Sequence, residues 1–202
     1  MAGFGCSYQS RQVDTSLAEA PVVIKNFDGY AGDGRLIQQS FNKVPQRVLA
    51  VSEPVVDDLI FLGVQDRIVA ISACYSKNYV PYEDEYAKLT RLTEGTGYPS
   101  KEAVLGLQPD LIVSWGSLFG DSALGSVEYW QQKGIHTYVM TNTVPIKASG
   151  RRRVEYLVDD LQHLAKIFRV EEKAKDKIVG LKKRIQALKL QSREIPEANK
   201  PK

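Results

Sequence analysis

Short apolar runs alternate with helical patterns through the middle of this chain. Four runs predict parallel strands, namely Val48–Val51, Arg67–Ser72, Leu111–Trp115 and His136–Met140. The unbroken apolar character of Leu111–Trp115 is typical of a strand covered on both faces. Three helices are predicted between the four runs from capping and stop signals: Val55–Leu62 before Gly63, two turns from Ser100 to Pro109, and Ser126–Lys133 before Gly134. This order predicts an α/β fold with one open, mostly parallel sheet and flanking helices, a Rossmann-like lobe.

The segments outside this alternation predict the remaining organisation. Residues 1–20 are polar and lack periodicity, so we expect a flexible tether. Val22–Ile24 and Leu36–Ile37 flank a glycine-rich stretch and predict an edge hairpin before the sheet. The long polar and aromatic connection 73–97 is predicted to be a functional loop, because loops of that length in compact domains are seldom idle.

The last third of the chain is predicted to be helical. Apolar residues recur at three-four spacing from Val154 to Phe168, which indicates an amphipathic helix docked on the sheet. A second pattern, through Ala174, Ile178, Leu181, Ile185 and Leu188, predicts a long C-terminal helix of about 20 residues, or about 30 Å. We therefore expect an α/β lobe over 21–168 and a separate helical segment over 169–202.

Charge and composition narrow the function classes. The chain has 202 residues, 27 of them basic and 24 acidic, and the net charge of +3 gives little support for nucleic-acid or membrane-surface binding. Arg151–Arg153 is a dense basic run. We interpret it as the solvated start of a helix, with binding of a phosphate or an anionic chelate as the alternative.

Signatures of catalysis or of a bare metal site are absent from the sequence. His136 and His163 are the only histidines and do not have His-x-x-x-His spacing. The first strand leads into Ser52-Glu53-Pro54 instead of a Gly-x-Gly-x-x-Gly turn, and no Gly-x-Ser-x-Gly elbow occurs. We predict that the protein is not an enzyme and has no cofactor. An α/β enzyme or subunit that binds a nucleotide or small metabolite at the sheet edge stays open as the alternative.

Four ordered segments resemble one family. Gly97–Val113 contains Tyr-Pro-Ser-x-Glu-Ala-Val-Leu-x-Leu-x-Pro-Asp-Leu-Ile-Val, and segments 45–70, 134–140 and 164–171 fit in the same order. This pattern is similar to the substrate-binding proteins of iron-siderophore, haem and cobalamin ABC importers. The resemblance covers about residues 20–202 and implies the amino-terminal lobe of a two-lobed receptor, with 169–202 as the interlobe helix and the start of the linker to a missing second lobe. A complete protein whose projecting helix mediates dimerisation is the alternative.

The resemblance also implies a function and partners. It predicts an extracytoplasmic protein that captures a metal chelate, foremost a ferric siderophore, with haem or a corrinoid as options. The partners would be the permease and ATPase of an ABC importer. Cys6 follows small residues and resembles a lipoprotein junction, which predicts a lipid anchor on the outer face of the membrane, or a periplasmic location. Loss of the second lobe would expose apolar positions of the long helix, so we also expect self-association.

Candidate site residues follow from the topology, because cleft residues of parallel sheets come directly after the strands. Trp115 is the foremost candidate, since an indole offers a rigid apolar face and one donor, and it matches a cleft-lining aromatic residue of the cobalamin receptor. The other predicted ligand-binding residues are Ser52, Glu53, Tyr75, Tyr98, Gly116, Ser117 and Thr141. The resemblance further predicts permease docking through an acidic residue, for which Asp121 and Glu128 are the candidates; favouring a helix amino terminus is their alternative role. Cys74 is predicted to be a buried small hydrophobic residue.

Overall fold

The computed structural model describes residues 20–29, 34–74, 81–93, 97–144 and 152–194. These residues form two sheets, six α-helices and three short 3₁₀ turns. The strands are β1 (Val22–Phe27), β2 (Leu36–Phe41), β3 (Val48–Val51), β4 (Ile68–Ser72), β5 (Leu111–Trp115) and β6 (His136–Met140). The helices are α1 (Glu53–Leu62), α2 (Glu83–Tyr86), α3 (Lys101–Leu107), α4 (Val127–Gln132), α5 (Glu155–Phe168) and α6 (Glu171–Glu194). The predicted α/β fold with a parallel sheet and a long C-terminal helix is confirmed.

The main sheet has four parallel strands in the order β4-β3-β5-β6. The register pairs Ala50 with both Ile71 and Val113, and Val113 with Tyr138. Alternate residues of β3 face opposite sides of the sheet. Val48 and Ala50 pack in a core with α1, α5 and α6, whereas Leu49 and Val51 pack in a second core that contains residues of α3 and α4. The sheet is therefore covered on both faces, which explains its continuous apolar strands.

Local signals place several element boundaries. The Ser100 hydroxyl accepts from the Ala103 amide at 3.2 Å and caps α3, and Gln108 ends that helix in the left-handed region just before Pro109. Gly63 ends α1 with φ of 74°, a conformation that costs other residues about 1 kcal/mol or more. The predictions of both helix ends are confirmed.

The hairpin forms its own two-stranded antiparallel sheet and packs on the edge strand β6. The Asn26 side-chain amide donates to the Val139 carbonyl at 2.9 Å and accepts from the Val139 amide at 2.7 Å. Gln39 bonds Thr137 in the same way, at 2.7 and 3.2 Å. Two buried side-chain amides thus take the place of a neighbouring strand along the sheet edge.

The connection between β4 and α3 is more regular than predicted. Residues 83–86 form the short helix α2, and the backbone near Arg91 pairs in parallel with Ile71 at the outer side of β4. The prediction of a loop over the whole of 73–97 was therefore wrong for residues 83–86. The Tyr86 side chain explains the helix, because it is buried and donates to Asp57 of α1 at 2.9 Å.

Helix α6 packs against α5 through its first half. Of the positions predicted to lack a partner, Ile178 is buried, and Leu181 and Ile185 contact the protein's own core. Leu188, by contrast, is 63% exposed. Among the described residues, no helix is both long and apolar enough to cross a bilayer.

Candidate functional site

The carboxyl ends of the four parallel strands meet at one edge of the sheet. Strand β3 lies between β4 and β5, so the chain runs to one side of β3 first and to the other side afterwards. Crevices beside such a reversal of strand order are the usual ligand sites of open α/β sheets. The predicted residues Ser52, Trp115 and Thr141 all stand at this edge.

A cavity of about 480 Å³ opens at the ends of β5 and β6. It is lined by Trp115, Ser117, Asn142, Thr143 and Arg152. Trp115 is half-buried and packs against both cores with part of its surface, so the indole is held in place while it forms a wall of the cavity. The volume and the mixed aromatic and polar lining lie within the range of small-molecule sites.

The two walls of this cavity are joined by a hydrogen bond. The Gly116 amide, next to Trp115, donates to the Thr143 hydroxyl at 2.8 Å, and that hydroxyl donates to the Met140 carbonyl at 2.6 Å. Gly116 is buried in this contact, whereas Ser117 is exposed. The backbone after β5 is thereby fixed to the single helical turn 141–143 that follows β6.

Arg152 is the one charged residue among the described residues that line the cavity. Its guanidinium donates to the Asn142 carbonyl. Arg153 is different: it is an exposed residue that pairs with Glu155 at 3.8 Å and lies over the Tyr156 ring. The sequence interpretation favoured a solvated helix start for the whole basic run, with binding of a phosphate or an anionic chelate as the alternative, and did not separate Arg152 from Arg153. The local sequence around Arg152 does not indicate where its side chain lies.

Backbone strain marks the neighbouring strand ends. Ser52 has φ of 93° and Ala73 has φ of 53°, although neither is glycine. Ser52 is fully buried and its hydroxyl lacks a hydrogen-bond partner among the described residues. Glu53 begins α1 at the same point. Strained residues of this kind are concentrated at functional sites.

Tyr98, another predicted aromatic residue, lies farther along the sheet edge. Tyr98 is 45% exposed and follows Gly97, whose carbonyl accepts from Ser72 at the end of β4. Tyr75 and Cys6 lie outside the described residues, as does Arg151. Cys74 is buried, as predicted, and burial raises the pKa of its thiol to about 11.

Thr141 contacts a buried carboxylate of α5. Its amide donates to Asp160 Oδ2 at 2.9 Å, and its hydroxyl donates to Oδ1 at 2.6 Å. Tyr138 also donates to Oδ1, at 2.8 Å, and lies 3.1 Å from His163 Nδ1. Asp160 is 1% exposed, and burial raises its pKa to about 7 although these hydrogen bonds oppose the rise. A carboxylate at a core-facing position of α5 was the available sequence signal, and it was missed.

The residues proposed for docking lie at the surface. Asp121 is exposed in the turn after β5, and Glu128 is exposed in the first turn of α4, where its carboxylate accepts from Gln132 at 3.3 Å. Within the described part of the chain, no group of three or more His, Cys, Asp or Glu could hold a metal ion.

Comparison with known proteins identifies the family. A family model described as "Periplasmic binding protein" matches residues 48–201. The chain belongs to the periplasmic binding protein family. Members are solute-binding proteins that carry ligands and work with the permease and ATPase of ABC transporters, and membership implies an extracytoplasmic location. No curated protein sequence matches the chain significantly.

Solved structures share the fold at low sequence identity. A periplasmic binding protein from Veillonella parvula DSM 2008 matches 87% of this chain with a TM-score of 0.74 and 24% identity. An ABC-type Fe³⁺-hydroxamate transport system from Saccharomonospora viridis DSM 43017 matches 83% with a TM-score of 0.60 and 20% identity. The periplasmic vitamin B12 binding protein BtuF of Vibrio cholerae matches 75% with a TM-score of 0.53 and 20% identity. The chain spans about half of these structures, which are covered to 54, 55 and 52%.

Proposed function

We propose that this periplasmic binding protein captures a ferric siderophore for an ABC importer, and that the cavity beside Trp115 is its contribution to the ligand cleft. The observation that carries the proposal is the pairing of an indole face with a guanidinium in one cavity at the carboxyl edge of the sheet. The indole suits the apolar or aromatic part of a chelate, and the guanidinium suits an anionic oxygen.

The charge of the cavity favours an anionic chelate within this class. Arg152 contributes one positive charge, and none of the other described residues that line the cavity is charged. A charge-assisted hydrogen bond of this kind contributes about 1.5–3 kcal/mol, or roughly a 10- to 150-fold change in Kd. A ferric catecholate, which has net negative charge, should therefore bind more tightly than a neutral ferric trihydroxamate. Haem and corrinoids stay as weaker candidates.

The proposed receptor has further parts. In this proposal α6 is the interlobe helix of a two-lobed protein. Glu53, Tyr75 and Tyr98 line the outer part of the cleft, and the buried Ser52 supports it from beneath. Cys6 carries the lipid anchor, and Asp121 and Glu128 contact the permease. The half-length match to the solved structures supports the two-lobed arrangement. We propose no catalytic role.

Fluorine NMR provides a direct test of ligand capture. The chain has two tryptophans, and labelling with 5-fluorotryptophan gives two signals that Trp115→Phe assigns. The probes are the diamagnetic Ga³⁺ complexes of a tricatecholate and of a trihydroxamate, together with cyanocobalamin. We expect the catecholate to shift the Trp115 signal and to leave that of Trp130, which is 0% exposed, in place.

Two neighbouring arginines give a matched comparison. Arg152→Ala should raise the Kd of the Ga³⁺ tricatecholate at least about 10-fold, because the cavity loses its cation. Arg153→Ala removes the same charge from a solvent-exposed ion pair outside the cavity and should change the Kd less than about 2-fold. Equal effects of the two variants, or no shift of Trp115 with any probe up to millimolar concentration, would contradict the proposal.

A further inference from the structure

We propose that Asp160 is a positioning residue for the ligand cavity: its carboxylate holds the turn 141–143, and through that turn it sets the position of the wall that carries Trp115. The inference rests on the proposed function for its effect on ligand affinity. Its effect on the wall itself does not depend on any ligand.

The contacts form a continuous chain from α5 to the cavity. Asp160 accepts from the amide and the hydroxyl of Thr141 at the first residue of the turn. At the last residue of the turn, Thr143 accepts from the Gly116 amide, and Gly116 directly follows Trp115. Asn142, between them, lines the cavity and accepts from Arg152. Each residue of the turn therefore has at least one hydrogen bond that fixes it, and the partner on the α5 side is Asp160.

A structural role alone explains this arrangement less well. Asp160 is 1% exposed and no cation is paired with it among the described residues. Burial of an unpaired carboxylate is costly, and a protein selected for stability alone would place an apolar residue at this core position of α5. A carboxylate is favoured at a position where it accepts hydrogen bonds from several donors at once. Here the donors are the Thr141 amide, the Thr141 hydroxyl and the Tyr138 hydroxyl.

The groups that surround Asp160 are mostly acidic. Asp58 of α1 is also buried, and its own pKa is raised well above the usual value by burial and by the charges of Asp160 and Asp57. From α5, the Asp159 charge adds to the rise in the Asp160 pKa, and His163 contacts Tyr138. Burial lowers the pKa of His163, so the imidazole is neutral at pH 7 and above.

The protonation state of Asp160 should therefore affect the turn. With its charge, the carboxylate accepts from all three donors; with a proton, one oxygen becomes a donor and competes with the Thr141 hydroxyl. Because burial places this pKa at about 7, the turn is held more tightly above pH 7 than below it. If the held turn is the form that binds ligand, affinity falls as pH falls through about 7.

The first test needs no ligand. In the chain labelled with 5-fluorotryptophan, the Trp115 signal is followed from pH 5.5 to 8.5. We expect a titration near pH 7 that Asp160→Asn abolishes and that His163→Gln and Asp159→Asn retain. Asp159 is the matched control, because it is an exposed carboxylate at the adjacent position of the same helix. A Trp115 signal that does not change over this range, or one that titrates equally in Asp160→Asn, overturns the inference.

The second test separates positioning from stability. Thr141→Val removes one donor to Asp160, and Thr141→Ser restores it; Tyr138→Phe removes another donor without touching the turn. In the ligand-free chain, Thr141→Val should weaken the pH titration of the Trp115 signal, with recovery in Thr141→Ser, whereas Tyr138→Phe should lower thermal stability with less than about 2-fold effect on the Kd of the Ga³⁺ tricatecholate. An unchanged titration in Thr141→Val, or parallel losses of affinity and stability in all these variants, would mean a purely structural role.

The two proposals fail in different ways. If none of the probes binds the wild-type chain, the proposed function fails, while the ligand-free titration of Trp115 still decides the role of Asp160. If the tricatecholate binds but with equal affinity for wild type and Asp160→Asn at pH 8, the proposed function stands and the positioning role is refuted. If Asp160→Asn does not fold, the comparison of Thr141→Val with Thr141→Ser tests the positioning role.

Discussion

The amide contacts between the hairpin and strand β6 give the sharpest quantitative prediction. Asn26 is 2% exposed, and its side chain satisfies both the amide and the carbonyl of Val139. Asn26→Ala removes both contacts and leaves two buried backbone groups without partners. Each such group costs about 1–3 kcal/mol, so the free energy of unfolding should fall by about 2–6 kcal/mol. That is a large fraction of the roughly 5–15 kcal/mol that stabilises a typical domain.

Urea denaturation followed by circular dichroism measures this change. The melting temperature should fall by roughly 5–20 °C at the same time. Gln38→Ala is the matched control, because Gln38 is exposed on the same hairpin and its loss should cost no more than about 0.5 kcal/mol. Gln39→Ala should resemble Asn26→Ala, since Gln39 bonds the amide and carbonyl of Thr137 in the same way.

The contrary result is well defined. If Asn26→Ala costs no more than Gln38→Ala, the backbone groups of Val139 have other partners, and the hairpin does not close the sheet edge. A loosely held β6 would also affect the ligand site, because β6 leads directly into the turn 141–143 that lines the cavity.

Two further predictions concern a helix end and the permease. Gly63→Ala should destabilise the fold by about 1–2 kcal/mol, because Gly63 has φ of 74° and a Cβ there would lie 2.8 Å from the Lys173 ammonium. Gly106 in α3 has open space around it and no positive φ, so Gly106→Ala should raise the free energy of unfolding by about 0.5–1 kcal/mol. Chemical denaturation measures the free energy of unfolding of both variants. A change of the same sign in Gly63→Ala and Gly106→Ala would refute the argument. Changing Asp121 and Glu128 together to alanine in the full-length receptor should abolish chelate uptake by cells and leave chelate affinity intact, since rim charges mainly set encounter and orientation. Normal uptake at normal expression would remove both residues from the docking surface.

The sequence alone determined most of the local structure and indicated the family. The bounds of β5 and β6, the Ser100 cap and the Gly63 helix end all matched the prediction, because each depends on residues within a few positions of one another. The same locality made the motif in Gly97–Val113 sufficient to suggest the family. The position of Trp115 at the sheet edge followed as well, since the ends of parallel strands must meet there.

The tertiary structure decided which side chains share the cavity and what supports them. Asn26 and Val139 are 113 positions apart, and Asp160 reaches Thr141 only because α5 packs across the sheet. Arg152 and Arg153 are indistinguishable in sequence, yet one lines the cavity and the other pairs with Glu155. Ser52 adopts φ of 93° although nothing about a serine predicts it. Such features depend on the balance of burial, charge and hydrogen bonding among elements distant in the chain, and that balance exists only once the elements are packed together.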